Sequence, residues 1–130
     1  MVELTLEKFN KEDLEVPITK TLHLIGIPAH IKGHNYLREA IVMAINDPYA
    51  VSLITKFIYP DIAKMYATTP SRVNRAMCHA LDVAWVRGSD SPLAAAIFPA
   101  KTSKPTNSEF ILALASFLIS HELIKKDNKL

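Results

Sequence analysis

A chain of 130 residues, 49% apolar and 22% charged, is long enough for one domain with its own core. Its formal net charge of +2 excludes a binder that holds nucleic acid by bulk charge, so any basic surface must be local. Cys78 is the only cysteine, which rules out a disulfide within the chain and suits a reducing cytoplasm. The opening is acidic and lacks an apolar segment, so no signal peptide is expected. The longest apolar run, residues 110–119, is about half of a membrane span.

Residues 1–15 are charged and carry no firm pattern. Glu12, Asp13 and Glu15 either start a helix or belong to a solvated arm, and the first domain boundary is placed after residue 15. Residues 16–125 form the folded domain, and residues 126–130 a fraying Lys-rich tail. In residues 16–25, Ile18, Leu22 and Ile25 repeat at helical spacing, and Gly26 and Pro28 end that helix. Residues 29–33 read as a connector. Residues 34–46 form the next helix, with Leu37, Ile41 and Ala44 or Ile45 inward. His30 and His34 are four apart, a metal-ligand spacing on a helix. Gly33 and Pro28 argue against one continuous helix there, and no third ligand follows, so no metal is expected. Asp47-Pro48 opens a short helix with Val51, Ile54 and Phe57 or Ile58 inward, and Tyr59-Pro60 breaks it.

Residues 61–77 then read as helix, tight turn, helix. Ile62 and the small Ala63 face inward on the first helix. A three-residue turn follows, and Thr69 offers an N-cap oxygen ahead of Pro70 at the first helical position. The second helix spans residues 70–87 and stops at Gly88. Its inward stripe is Val73, Met77, Ala80 or Leu81, and Ala84. Its outward face carries Ser71, Arg72, Asn74, Arg75, Cys78 and His79, side chains able to meet bases or phosphates. That is the layout of a DNA-reading helix-turn-helix, whose second helix enters the major groove. Two amphipathic helices joined by a short turn also occur in any helical domain. The Thr-Pro start and the two outward arginines favour the DNA reading. Ala67 stands where such turns often hold Gly, and a left-handed alanine costs roughly 1–2 kcal/mol.

Beyond Gly88, residues 93–98 form a short apolar helix ended by Pro99, and residues 101–105 a basic loop with Lys101 and Lys104. Thr106 and Glu109 have capping-box spacing and open a long helix that runs to about Ile124. Phe110, Ile111, Leu114, Ala115 and Leu118 suffice to dock that helix. Leu112, Phe117 and Ile119 are left over and mark a protein interface, here a homodimer. A fold-back of residues 4–9 over the same patch is the alternative. No stretch alternates as a strand would, so the fold class is all-α: a compact bundle of about six helices containing a helix-turn-helix. No glycine-rich phosphate loop, nucleophile elbow or Ser/His/Asp set points to an enzyme, and no cofactor is called for.

Several stretches resemble one family. Ile25-Gly26-Ile27-Pro28-Ala29-His30-Ile31-Lys32-Gly33 and Tyr36-Leu37-Arg38-Glu39-Ala40-Ile41 are similar to the C-terminal effector domains of the stage-zero sporulation A response regulators. So are Tyr59-Pro60-Asp61-Ile62-Ala63-Lys64, Ser71-Arg72-Val73, Val83-Ala84-Trp85 and Lys104-Pro105-Thr106-Asn107-Ser108-Glu109-Phe110-Ile111. The resemblance covers residues 18–122. It implies a six-helix domain that binds short boxes near sporulation promoters, as a dimer on tandem sites. It further implies that Arg72 reads bases, that nearby side chains hold phosphates, and that the segment after residue 87 touches the sigma subunit of RNA polymerase. This chain departs from the family at Asn74, commonly Glu, and at Cys78, commonly Arg. Glu accepts from cytosine whereas Asn can pair with adenine, so base preference should differ. Residues 89–98 differ too, and the family's places for Phe117 and Ile119 are typically charged. The family's receiver domain has no counterpart, so the chain is either an isolated effector domain or a naturally short paralogue, and the unrelated opening from Met1 leans toward the paralogue.

The expected function is a cytoplasmic, nucleoid-associated regulator that binds double-stranded DNA through Ser71, Arg72, Asn74, Arg75, Cys78, His79, Lys101 and Lys104. The competing one is an interaction module of the same fold, weakened for DNA, that acts on a partner regulator or polymerase.

Overall fold

The computed structural model describes residues 10–87, residue 97 and residues 104–121. Among them the regular elements are all helical, which makes the domain all-α. They are α1 (Lys11–Ile25), α2 (Lys32–Asn46), α3 (Tyr59–Met65), α4 (Pro70–Arg87) and α5 (Asn107–Ser120). A 3-10 segment, Pro48–Leu53, and a π segment, Ile54–Ile58, link α2 to α3. The expected helix at residues 93–98 lies outside the described residues except for Ile97, which is helical and buried.

Of the two readings left open for the acidic start, the helical one holds. The Asn10 carbonyl accepts from the N–H groups of Asp13 and Leu14, and Glu12 and Asp13 complement the helix dipole. Leu14, Ile18, Leu22 and Ile25 form one fully buried stripe. Pro17 sits inside this helix without ending it. Tertiary ion pairs hold the first turns: Lys11 Nζ lies 2.9 Å from Glu39 Oε1, and Arg38 Nε lies 3.9 Å from Glu15 Oε2. At the other end Gly26, at φ 110°, closes the helix, and the Ile27 N–H bonds the Leu22 carbonyl at 3.0 Å.

α2 is the central helix, packed against α1, α3, α4 and α5. It starts at Lys32, so Gly33 lies in its first turn and not in a connector. A helical glycine costs about 1 kcal/mol against alanine. Here a Cβ would stand 2.2 Å from the Ala76 carbonyl oxygen and 2.7 Å from the Ala80 Cβ, so only glycine lets α2 and α4 touch. His34 is buried, while His30 is exposed in the preceding turn. Burial lowers the His34 pKa.

Tyr59-Pro60 does not break the chain. Ile58 and Tyr59 both keep right-handed helical angles, and α3 continues from them. Pro60 has no N–H to give the Lys56 carbonyl. The preceding turn widens instead, and the Tyr59 N–H bonds the Ile54 carbonyl. In that wider turn Ile58 is buried and Phe57 exposed.

Gly33→Ala should destabilise the domain by about 1–3 kcal/mol, because the overpacking term exceeds the gain in helix propensity. Denaturant titration of both proteins measures it, and a neutral or stabilising result would contradict the contact.

Candidate nucleic-acid interface

α3 and α4 are joined by residues 66–69, one residue more than expected, because Tyr66 leaves the helix as its cap. The Thr68 N–H bonds the Ala63 carbonyl at 2.9 Å and the Ala67 N–H reaches Lys64 at 3.5 Å. This is a Schellman closure with alanine in the glycine place, and Ala67 is left-handed at φ 53°. Tyr66 anchors the turn from the other side. Its hydroxyl donates to Glu39 Oε2 at 2.9 Å, and its ring meets Tyr36 edge-on at 5.2 Å. Burial first, then the bond to the Glu39 carboxylate, raises the Tyr66 pKa and keeps the phenol a donor.

Thr69 caps α4 as its residue type requires: its Oγ1 accepts from the Arg72 N–H at 3.2 Å, and Pro70 begins the helix. Val73, Met77, Ala80, Leu81 and Ala84 are all buried, so both candidates for the third inward position are used. Ser71, Arg72, Asn74, Arg75 and His79 are exposed and Cys78 is half-buried, the arrangement expected of the outward face. Arg75 Nη2 donates to Ser71 Oγ at 3.2 Å, which aligns it along the helix. The Arg72 guanidinium makes no contact among the described residues.

The other expected contacts are more constrained. Lys104 forms an ion pair with Asp82 on α4. Lys101 lies outside the described residues, as does Gly88. Asn74 is engaged through its amide oxygen, which accepts from Tyr59 Oη at 3.1 Å and from Asn107 Nδ2 at 3.0 Å. Cys78 Sγ lies 3.6 Å from the same Asn107 nitrogen. Tyr59, Asn74, Cys78, Lys104 and Asn107 line an open cleft of about 310 Å³ between α4 and the start of α5. Sequence reasoning missed Tyr59 and Asn107. The only local signal was the capping box, which the structure forms: Thr106 Oγ1 accepts from the Glu109 N–H, and Glu109 Oε1 accepts from the Thr106 N–H. That box puts Asn107 at the first position of α5.

On α5, Leu112 is 40% and Ile119 45% exposed. Phe117 is partly buried against the core and stacks on His121 at 4.2 Å. The helix ends at Ser120 with His121 as its cap, short of the expected Ile124.

The chain matches the family described as Sporulation initiation factor Spo0A C terminal over residues 18–118. That span contains α2 to α4 whole and most of α1 and α5. The chain belongs to this family. The family is one of DNA-binding effector domains of a sporulation regulator, and a helix-turn-helix, the layout of α3, its turn and α4, fits its fold. Among the described residues, no helix is long and apolar enough to cross a membrane.

Ala67→Gly should stabilise the domain. Relief of about 1–2 kcal/mol of left-handed strain outweighs the roughly 0.4–1 kcal/mol of extra freedom in the unfolded chain. A raised denaturation midpoint with unchanged slope is the expected result; a lowered midpoint would mean the turn relaxes without glycine.

Proposed function

We propose that the chain is a sequence-specific transcription regulator that reads a short DNA box with α4. The observation that carries this is the Arg72 guanidinium, exposed and without a partner among the described residues, in the first turn of a capped helix that follows a fixed turn. An arginine there pairs with guanine O6 and N7. Arg75, aligned along the helix by Ser71, meets a phosphate. Lys104 does the same only by exchanging Asp82 for DNA, and Lys101, outside the described residues, is assigned the same role. Ser71, Cys78 and His79 complete the facing surface.

A second role is favoured by the exposed stripe on α5. Leu112 and Ile119 lie two turns apart on one face, and the half-buried Phe117 borders it. We assign this stripe to self-association, which would place two reading helices on one DNA. The sigma-subunit contact falls on residues 89–98, outside the described residues. If DNA binding is weak, the same stripe makes the domain an interaction module for a partner regulator or polymerase.

Arg72→Ala should lower affinity for the preferred box by about 1–3 kcal/mol and leave binding to scrambled DNA nearly unchanged. Arg75→Ala should weaken both alike and reduce the salt slope by about one unit. Titration of both DNAs at two salt concentrations separates the roles, and equal losses for Arg72→Ala would remove base reading.

Sedimentation should show a dimer at high micromolar concentration that Leu112→Lys with Ile119→Arg converts to a folded monomer. Phe117 is avoided because part of its ring belongs to the core. A monomeric wild type would eliminate the homodimer.

A further inference from the structure

Asn74 stands on the exposed face of α4, yet half of its amide is spoken for. Its Oδ1 accepts from the Tyr59 hydroxyl and from Asn107 Nδ2, and the Tyr59 hydroxyl in turn accepts from Asn107 Nδ2 at 2.9 Å. Both partners are 7% exposed and neither moves easily. Tyr59 opens α3, and Asn107 is held at the head of α5 by the capping box.

The orientation of the two amides follows from a group that cannot turn over. The Asn74 backbone carbonyl only accepts, and Asn107 Nδ2 lies 3.4 Å from it. A reversed Asn107 would set two oxygens against each other there, so the nitrogen faces α4. Asn107 Oδ1 is consequently left buried, without a partner among the described residues. With the Asn107 nitrogen fixed, the Asn74 atom 3.0 Å from it must be the oxygen. The Asn74 Nδ2 is then the half that remains for solvent, and it has no partner among the described residues.

We propose that Asn74 reads DNA as a donor only. Its Nδ2 meets a major-groove carbonyl, guanine O6 or thymine O4, while Tyr59 and Asn107 withhold the oxygen that the adenine N6 donor would require. Asparagine recognises adenine with both amide atoms, the oxygen taking the N6 proton and the nitrogen giving one to N7. An oxygen already held by two inward donors cannot serve that pair without breaking a buried network. Tyr59 and Asn107 are thus positioning residues for specificity, acting through Asn74 from different helices. The proposal rests on α4 lying in the major groove, as above.

Sequence selection from a random duplex pool, followed by competition with each of the four bases at the pair governed by residue 74, tests it. Asn74→Ala identifies that pair as the one whose preference flattens. The wild type should prefer guanine or thymine there over adenine by roughly tenfold. Asn74→Asp keeps an oxygen for both inward donors and replaces the outward donor with an acceptor, so preference should move to cytosine. Tyr59→Phe keeps the ring and removes one inward donor, and should narrow the gap between guanine and adenine specifically. A wild type that selects adenine at that pair overturns the proposal. So does Tyr59→Phe weakening all four bases alike, the signature of a structural role, or Asn74→Ala flattening no position. A flat profile across every position for the wild type would overturn the major-groove reading itself, whereas a clear box with adenine at this pair overturns only the donor-only lock.

Discussion

The close approach of α2 to α4 at Gly33 is the contact on which the site depends. The Ala76 carbonyl and the Ala80 methyl press against a residue with no side chain, and this fixes how deep α4 sits. Ala76 immediately follows Arg75, so the turn held from behind by α2 is the one that shows its arginines in front. α2 also holds the turn that precedes α4. Glu39, buried on α2, takes the Tyr66 hydroxyl at 2.9 Å and the Lys11 ammonium at 2.9 Å. One helix therefore determines both the start of the reading helix and its line. The magnitudes are consistent with this. A hydrogen bond to a charged group contributes about 1.5–3 kcal/mol, enough to offset the roughly 1–2 kcal/mol of strain at Ala67, so the clamp holds the turn in its strained form.

The charge of the site is sparse, and that shapes what it can do. Asp82 neutralises Lys104 at the edge of the cleft, and α4 presents Arg72 and Arg75 against a chain net charge of only +2. Each phosphate neutralised adds about 0.9 to the salt slope, so one or two contacts give a shallow dependence and weak general affinity. The selectivity proposed above then rests on base edges, where the geometry of the outward side chains matters more than their number. The network of Tyr59, Asn74 and Asn107 supplies such geometry without adding charge.

The core was legible because burial repeats with the turn of the helix. The inward stripes of α1, α2 and α4 are the ones that 3.6-residue spacing selects, and the caps at Thr69 and Thr106 form with the side chains that their types suggest. What failed were local rules overridden by distant contacts. Gly33 reads as a helix breaker until Ala76 stands 43 positions later against it. The acidic first turns of α1 read equally as an arm because their holding partners, Glu39 and Arg38, lie on another helix. Pro60 reads as a stop, yet a widened turn absorbs its missing N–H. Within the site the outward face of α4 was readable and its internal tether was not. Asn107 touches Tyr59 across 48 positions, and no local pattern encodes that.

α5 joins two surfaces without making them compete. Its first residue, Asn107, closes the cleft beside α4, whereas Ile119 lies twelve positions on, about 18 Å along the axis. Phe110, Ile111, Leu114, Ala115 and Leu118 bind the intervening length to the core, and Leu112 and Ile119 face away from it. Leu112 and Ile119 therefore lie on a different part of α5 from the residue that closes the cleft. α5 meets α4 both directly and through α2, and at its head Asn107 bonds Asn74. A closely packed helix transmits displacement but does not bend easily.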